Sequence, residues 1–200
     1  MKVEPVVLPV ILEDPHVRLE PVEEHHREGL RAAARGDQAL FDYMPMDLSG
    51  TDFDRWFDWS KSVTASHREL VFTVVHKADG RIVGSTRYFN IDAAHKRLEI
   101  GYTWYARDTW SSAVNPACKF LLFRHGFEAL KWNRVELKCD ARNKRSRAAI
   151  LKLGAKEEGT LRKHMVLRDG FVRDTIYFSV VADEWPAVRD GLHTRIAAFG

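Results

Sequence analysis

Apolar residues recur along this chain at two spacings, every second residue in some segments and every third or fourth in others. The first spacing is typical of a strand with one buried face, and the second of an amphipathic helix. The predicted strands are residues 17–21, 70–76, 81–89, 97–105, 134–139, 156–167 and 171–181. The predicted helices are residues 22–35, a segment that starts near 51, 115–131, 143–153 and a closing segment from 183 onward. This order predicts a mixed α/β protein in which helices cover a mixed sheet.

Cap and turn residues predict where these elements end. Asn115 followed by Pro116 is typical of a helix start, because Asn can cap free amides and proline at the first helical position loses no needed donor. Gly154 predicts the end of the helix that Asn143 begins. The dipeptide Asp169-Gly170 predicts a tight hairpin between the last two strands.

The strand over residues 97–105 is predicted to alternate along its whole length. One face is expected to hold Leu98, Ile100, Tyr102 and Trp104. The other face is expected to hold Glu99, Gly101, Thr103 and Tyr105. A glycine inside a strand marks either a bulge or a close approach of another group to the backbone, so Gly101 is the position where an irregularity is expected.

The composition is that of an ordinary globular protein. Two hundred residues, 45% of them hydrophobic and 30% charged, exclude a disordered chain and a disulfide scaffold. We expect a single domain over residues 1–200, with an N-terminal extension over 1–15 and a helical tail over 183–200. Residues 141–173 contain ten cations and three acids, which is +7 in a chain of net charge +3. This distribution favours an anionic ligand, with a solvated charged surface as the alternative.

Several function classes lack their residue patterns. Cys118 and Cys139 lie in apolar patterns and are predicted to be small buried hydrophobes without a disulfide. The adjacent His25 and His26 do not share a helical face, and no metal is predicted. No segment is long enough to cross a bilayer, so we expect no membrane contact and a cytoplasmic location. The basic stretch lacks interleaved aromatic residues, so no nucleic acid partner is expected.

A short loop of small residues between strand 97–105 and the next helix is the first candidate for a ligand site. The loop, Trp110-Ser111-Ser112-Ala113-Val114, leads into a helix start at Asn115. A helix N-terminus offers unpaired amides and the positive end of the helix dipole. The junction is therefore a candidate pyrophosphate site.

A longer motif follows the strand over residues 134–139. Its residues are Asn143-Lys144-Arg145-Ser146, Ala148-Ala149-Ile150, Leu153-Gly154-Ala155, Glu158-Gly159 and Leu161-Arg162. This motif resembles the RimJ/RimL type of the GNAT superfamily of acyl-CoA-dependent N-acyltransferases, and the resemblance extends from about Val17 to Pro186. It implies a GNAT-like fold, a central twisted mixed sheet of about six to seven strands flanked by helices.

The resemblance also implies a reaction, in which an acyl group passes from coenzyme A to an amine of a protein N-terminus or a small molecule. Acetyl-CoA is the expected donor, and succinyl-CoA or another acyl-CoA stays open. The cofactor would enter where strands 97–105 and 134–139 separate. The implied cofactor-binding residues are Tyr102, Thr103, Trp104, Trp110, Ser111, Ser112, Ala113, Val114, Asn115 and Asn143. A homodimer is a further expectation.

The phosphate loop departs from the family pattern. The family has Gln or Arg, two residues, Gly, one residue, then Gly or Ala; the corresponding positions here are Asp108, Ser111 and Ala113. Glycine allows positive φ and close approach of the backbone to phosphate. Ser111 must therefore take an ordinary conformation or accept strain, and Asp108 adds negative charge. The alternative function is a non-catalytic CoA-binding or protein-interaction module.

The amine must lose a proton before it attacks a thioester, so the resemblance calls for a base and for a proton donor to the thiolate. Glu99 is the candidate base, and a glutamate paired with Arg97 or Lys96 is the alternative. Ser146 is the candidate acid, and a serine that only bonds helix-start amides is the alternative. The candidate substrate-binding residues are Phe41, Trp56 and His164. For the aromatic segment the alternative is a core-facing stripe, and for the histidine a solvated strand position.

Overall fold

A mixed sheet of eight strands forms the centre of the structure, a computed structural model that describes residues 7–199. The strands are β1 Leu12–Glu13, β2 Val17–Pro21, β3 Leu70–His76, β4 Ile82–Asp92, β5 Arg97–Tyr105, β6 Arg134–Asp140, β7 Lys156–Val166 and β8 Val172–Val181. Their order in the sheet is β1-β2-β3-β4-β5-β6-β8-β7, and only β5 and β6 pair in parallel. The sheet has one strand more than predicted, because the two residues of β1 are too few to show a periodicity.

Five α-helices flank the sheet. They are α1 Arg27–Ala34, α2 Phe53–Ala65, α3 Val114–Arg124, α4 Lys144–Leu151 and α5 Trp185–Ala197. A π-helical turn, His125–Ala129, continues α3, so the helical segment ends close to the predicted residue 131. Of the predicted extension over 1–15, residues 12 and 13 form β1, and residues 1–6 lie outside the described part. Among the described helices none combines the length and the apolar character that a membrane span requires.

Two hydrophobic clusters pack on opposite faces of the sheet. Alternation along β3 separates them, since Leu70 and Phe72 belong to the cluster under α3 and α5, and Val71 to the cluster under α1 and α2. We call the second cluster the aromatic core. Its largest side chains are Phe41, Phe53, Trp56, Phe57 and Trp104. The prediction that α2 presents one apolar face is confirmed, because its aromatic residues at the expected spacing are buried.

The predicted alternation of β5 is wrong beyond Gly101. Ser85 pairs with Trp104 but Arg87 pairs with Gly101, so two residues of β5 lie opposite one residue of β4. This β-bulge centres on Tyr102, whose φ is +49°. The extra residue reverses the faces, so Trp104 joins the aromatic core and Tyr105 joins the other cluster. Gly101 lies beside the bulge, and a Cβ there would come within 2.6 Å of the Phe89 ring.

The predicted cap of α3 is also wrong. The helix begins at Val114 after Ala113, and Asn115 is its second residue, without a capping hydrogen bond. Pro116 is tolerated at the third position, because the first four N–H groups of a helix have no partner within it. The hydroxyl of Ser112 accepts the N–H of Val114 at 3.2 Å instead.

Candidate active site

A cleft opens where β5 and β6 separate. The two strands pair only from Arg97 with Arg134 to Glu99 with Glu136. Beyond that point β6 stays paired with β8 as far as Asp140, whereas β5 has no neighbour on that side among the described residues. The result is a cavity of about 470 Å³ with one wall made by an unpaired strand edge. Such an edge can hydrogen-bond an extended ligand as it would another strand.

The structure brings most of the predicted cofactor-binding residues together in this cleft. Those that line it are Tyr102, Thr103, Trp104, Trp110, Ser111, Ser112, Asn115 and Asn143. Ala113 and Val114 are buried at the start of α3, behind the lining residues. Any contact they make with a ligand would therefore come from the backbone at the helix N-terminus.

Ser111 adopts the left-handed conformation that glycine has in such loops. Its φ is +60°, so the residue accepts strain rather than an ordinary conformation. The neighbouring Ser112 hydroxyl donates to the carbonyl oxygen of Thr109 at 2.5 Å and ties the loop to the preceding turn. Asp108 forms an ion pair with Arg81 at 2.8 Å and does not line the cleft. The loop therefore has a left-handed residue at Ser111, and the Asp108 carboxylate is paired outside the cleft.

A cation lines the cleft beside the loop that precedes α3. The guanidinium of Arg145, in the first turn of α4, lies 3.5 Å from the centre of the Trp110 ring and lines the cleft. Burial is the main cause that lowers the pKa of this group. The Trp110 indole is itself fixed by a 3.0 Å hydrogen bond to the carbonyl oxygen of Tyr105. Sequence patterns did not single out this pair, which joins two elements distant in the chain.

Asn143 and Ser146 form the start of α4. The Asn143 side-chain oxygen accepts the backbone N–H of Ser146 at 2.9 Å, which caps the helix. This hydrogen bond occupies the oxygen of the Asn143 amide and does not use its Nδ2 donors. Both side chains line the cleft.

Glu99 is a fully buried carboxylate at the point where the strands separate. Its Oε2 accepts from Lys138 Nζ at 3.1 Å and from Asn90 Nδ2 at 3.0 Å, whereas Oε1 is buried without a partner in the described chain. Burial raises the pKa of Glu99 although the Lys138 ammonium opposes the shift. The alternative pairing with Arg97 is wrong, because Asp92 at the end of the hairpin binds that guanidinium at 2.9 Å.

The sequence from residue 16 to 156 matches the family described as "Acetyltransferase (GNAT) domain". This chain belongs to the GNAT acetyltransferase family. It is 32% identical over 107 residues to YdaF of Bacillus subtilis (strain 168), which is provisionally named a ribosomal N-acetyltransferase; the match covers 54% of this chain. The matches to curated relatives span 57% of YdaF and 63% of an N-acetyltransferase of Bacillus licheniformis named p20, less than two thirds of either.

Solved structures share the fold over nearly the whole GNAT chain. A GCN5-related N-acetyltransferase from Brucella melitensis superposes with a TM-score of 0.89 at 31% identity, covering 96% of this chain and 87% of that one. RimJ of Mycobacterium smegmatis, in complex with CoA-disulfide, superposes with a TM-score of 0.78 at 25% identity, covering 95% and 93%. The predicted GNAT-like mixed sheet and the RimJ/RimL resemblance are confirmed.

The predicted substrate residues of the GNAT chain lie outside the cleft lining. The rings of Phe41 and Trp56 are buried in the aromatic core, 5.6 and 6.1 Å from the ring of Trp104, and they support that wall from behind. Both rings therefore face the core, as the alternative prediction for the aromatic segment stated, and do not line the cleft as predicted for substrate binding. His164 lies on β7 with its ring 5.8 Å from the Tyr177 ring. None of the three lines the cleft.

The fold also brings three residues with metal-ligating side chains together away from the cleft. One ligand atom from each of Glu20, His25 and His26 lies within 4.8 Å of the others. The ring of His26 is already engaged at both nitrogens, since Nδ1 accepts the N–H of Glu23 at 3.0 Å and Nε2 lies 3.1 Å from Glu20. The hydrogen bonds of His26 therefore connect β2 to the helical turn that follows it.

Lys119 is a buried amine in the cleft wall that was not among the predicted site residues. Its Nζ donates to Thr103 Oγ1 at 2.6 Å, and no carboxylate of the described chain lies within 4.0 Å. Burial lowers its pKa to about 8. Its signal was available in the sequence, because Lys119 is the one charged residue in the apolar run 117–123.

The free energy of unfolding is predicted to rise with pH through the titration of Lys119. In the unfolded chain this lysine has its ordinary pKa of 10.5, so between pH 8 and 10.5 the unfolded state binds more protons than the folded state. The wild-type protein should therefore gain on the order of 3 kcal/mol over this window relative to Lys119→Met. Urea unfolding of both proteins at several pH values measures the difference. Parallel pH dependences would show that Lys119 keeps an ordinary pKa.

Proposed function

We propose that this GNAT chain is an acyl-CoA-dependent N-acyltransferase that transfers an acetyl group to a primary amine within a ternary complex. The observation that carries the proposal is the coincidence of three features in one cleft. These are the unpaired edge of β5, the N-terminus of α3 and the buried carboxylate of Glu99. The strand edge suits the acyl donor, the helix N-terminus suits its phosphate groups, and the carboxylate suits the base that the reaction needs.

The residues present fit an acyl-CoA. The free backbone groups of β5 beyond Glu99 suit the amides of a pantetheine arm, and the Asn143 amide adjoins the same path. The first amides of α3, with Arg145 beside them, suit a diphosphate. The left-handed Ser111 keeps the loop in the shape that glycine would give it. The CoA-disulfide bound to RimJ of Mycobacterium smegmatis supports the same class of ligand for this fold.

Acetyl-CoA supplies a thioester whose carbonyl carbon is the electrophile. Glu99 would accept the proton of the amine at Oε1, the oxygen without a partner, and its raised pKa brings it closer to a base that works near neutral pH. Lys138 and Asn90 hold Oε2 and so fix the carboxylate plane. Backbone N–H groups of residues 102–104 would polarise the thioester carbonyl, and the Ser146 hydroxyl would donate a proton to the departing thiolate.

The acceptor class that we propose is a primary amine on a protein N-terminus or a small molecule. The provisional name of YdaF refers to ribosomal substrates and so favours a protein N-terminus. The cytoplasmic location and the homodimer stay predictions.

The proposal is tested by mixing the protein with acetyl-CoA and a panel of amines, including peptides with free N-termini. We expect release of free thiol that depends on the acceptor and is accompanied by an acetylated amine in the mass spectrum. Binding of acetyl-CoA without transfer to any amine would instead support the non-catalytic module. A parallel titration with succinyl-CoA identifies the preferred acyl group.

The variant Asn143→Asp is predicted to weaken acetyl-CoA binding without weakening the fold. Aspartate caps a helix as well as asparagine does, so the free energy of unfolding should change by less than about 0.5 kcal/mol. The substitution replaces the Nδ2 donor by an acceptor, which should raise the Kd for acetyl-CoA at least about tenfold. Calorimetric titration and urea unfolding of the same samples separate the two effects. An unchanged Kd would remove Asn143 from the cofactor site.

A further inference from the structure

Arg173, on β8, is a buried cation in the cleft wall that the reaction as described does not use. Its side chain is 6% exposed and lines the cleft. Nε donates to Thr175 Oγ1 at 2.9 Å, and Nη1 donates to the carbonyl oxygen of Tyr43 at 3.3 Å. No carboxylate in residues 7–199 lies within 4.0 Å of it, although buried guanidinium groups are usually paired with an acid.

The two acids that line the cleft, Asp140 and Glu99, are already bound by other cations. Asp140 receives two hydrogen bonds from the guanidinium of Arg142, to Oδ1 at 3.1 Å and to Oδ2 at 2.8 Å. Burial opposes ionisation of Asp140, but the bonds from Arg142 and the charge of Arg173 lower its pKa. Glu99 is bound by Lys138. Arg173 therefore acts on Asp140 through its charge alone, and no acid in residues 7–199 forms an ion pair with it within 4.0 Å.

The Arg173 guanidinium keeps N–H donors that no group in residues 7–199 accepts. Nε is committed to Thr175, and Nη1 uses one of its two hydrogens for Tyr43. The remaining Nη1 hydrogen and the Nη2 group form a fork that matches the two oxygens of a carboxylate. The two neutral bonds hold the fork in place before any ligand arrives.

The sheet register places this fork at a distance from Glu99 that one ligand can span. Glu99 pairs with Glu136, and Asp140, four residues further along β6, pairs with Thr175. The Arg173 guanidinium lies at the level of Thr175, because its Nε donates to that hydroxyl at 2.9 Å. Four residues correspond to roughly 13 Å along a strand, which the reach of the two side chains shortens. The strands β5 and β6 separate between these two levels, so the cleft connects them.

We propose that Arg173 binds a carboxylate of the amine acceptor, which makes the acceptor class a peptide N-terminus with an acidic residue at its second or third position. This inference rests on the proposed function, because it assumes that the reacting amine lies near Glu99. The excess of cations over residues 141–173 adds a favourable field for such an acceptor.

The test compares two peptides that differ in one charge, with Asp or Asn at the third position after a free N-terminus. Calorimetric titrations measure their Kd with and without saturating CoA for the wild type, Arg173→Gln and Arg173→Lys. Arg162→Gln is the matched control, since Arg162 is an exposed cation of β7 that does not line the cleft. We expect the Asp peptide to bind at least about tenfold more tightly than the Asn peptide to the wild type and to Arg162→Gln. Arg173→Gln should lose this ratio, and Arg173→Lys should retain part of it.

Equal Kd values for the two peptides in the wild type, or a ratio that Arg173→Gln preserves, would overturn the assignment. Thermal melting checks that each variant is folded; if Arg173→Gln melts below the assay temperature, the ratios of the wild type and Arg173→Lys decide. The two hypotheses fail separately in this design. Absence of CoA binding overturns the proposed acyltransferase, whereas the titrations without CoA still decide whether Arg173 recognises the carboxylate.

Discussion

Glu99→Gln is expected to lower kcat for acyl transfer by about 10² to 10⁴, the usual contribution of a general base. Glutamine keeps the shape of the side chain and can still bond Asn90, but it cannot accept the proton of the amine. The Kd for acetyl-CoA should change by less than about threefold, because the carboxylate acts on the acceptor and not on the donor. Release of free thiol at saturating acetyl-CoA measures kcat for both proteins.

Glu136→Gln is the matched control for this substitution. Glu136 lies opposite Glu99 on β6, but it is bonded to Arg134 at 2.9 Å and does not line the cleft. Its removal should leave kcat within about threefold of the wild type. Because the pKa of Glu99 is raised above 4.5, the wild-type rate should fall as pH decreases through a value above 4.5, and Glu99→Gln should lack that limb. A Glu99→Gln protein with wild-type kcat would exclude Glu99 as the base.

Trp104→Ala is expected to cost about 3–5 kcal/mol of unfolding free energy. The indole is 3% exposed and packs edge-on against Phe41 and Trp56, so its removal leaves a cavity in the aromatic core. The loss corresponds to a decrease in Tm of roughly 6–20 °C for a chain of this length. Urea unfolding followed by circular dichroism measures it.

Trp59→Ala is the control for this second prediction. Trp59 lies on the same helix as Trp56 but is not part of the aromatic core. It is 40% exposed and contacts the Arg87 guanidinium at 4.7 Å, so its removal should cost less than about 1 kcal/mol. A similar small cost for Trp104→Ala would mean that the end of β5 is not held by the aromatic core.

Sequence patterns predicted the parts of this fold that depend on neighbouring residues. The β-branched and aromatic residues of β3, the turn residues before β4 and the aromatic spacing of α2 are local signals, and each element lies close to where it was expected. The bulge at Tyr102 was missed because it depends on the pairing of β5 with β4, which places two residues opposite one. Strict alternation cannot reveal such an extra residue.

The site was predictable to the extent that the family motif fixes it. The motif pointed to Asn143 and to the cleft between β5 and β6, and the structure places the side chain there. The partner of Glu99 could not be found in this way, because Lys138 is 39 residues away and reaches Glu99 only through the parallel pairing of β6 with β5. In the sequence Arg173 is one of ten cations in residues 141–173, and nothing in the pattern distinguishes it from the others. Its burial becomes visible only in the structure.

The most direct test of the account is a calorimetric titration of the wild-type protein with acetyl-CoA, beside Ser111→Gly. We predict binding of one acetyl-CoA per chain with a Kd between about 1 μM and 1 mM, the range of ordinary enzyme substrates. Ser111→Gly, which removes the strain at φ +60°, should bind at least as tightly. Absence of binding by both folded proteins would contradict the assignment of the cleft to an acyl-CoA.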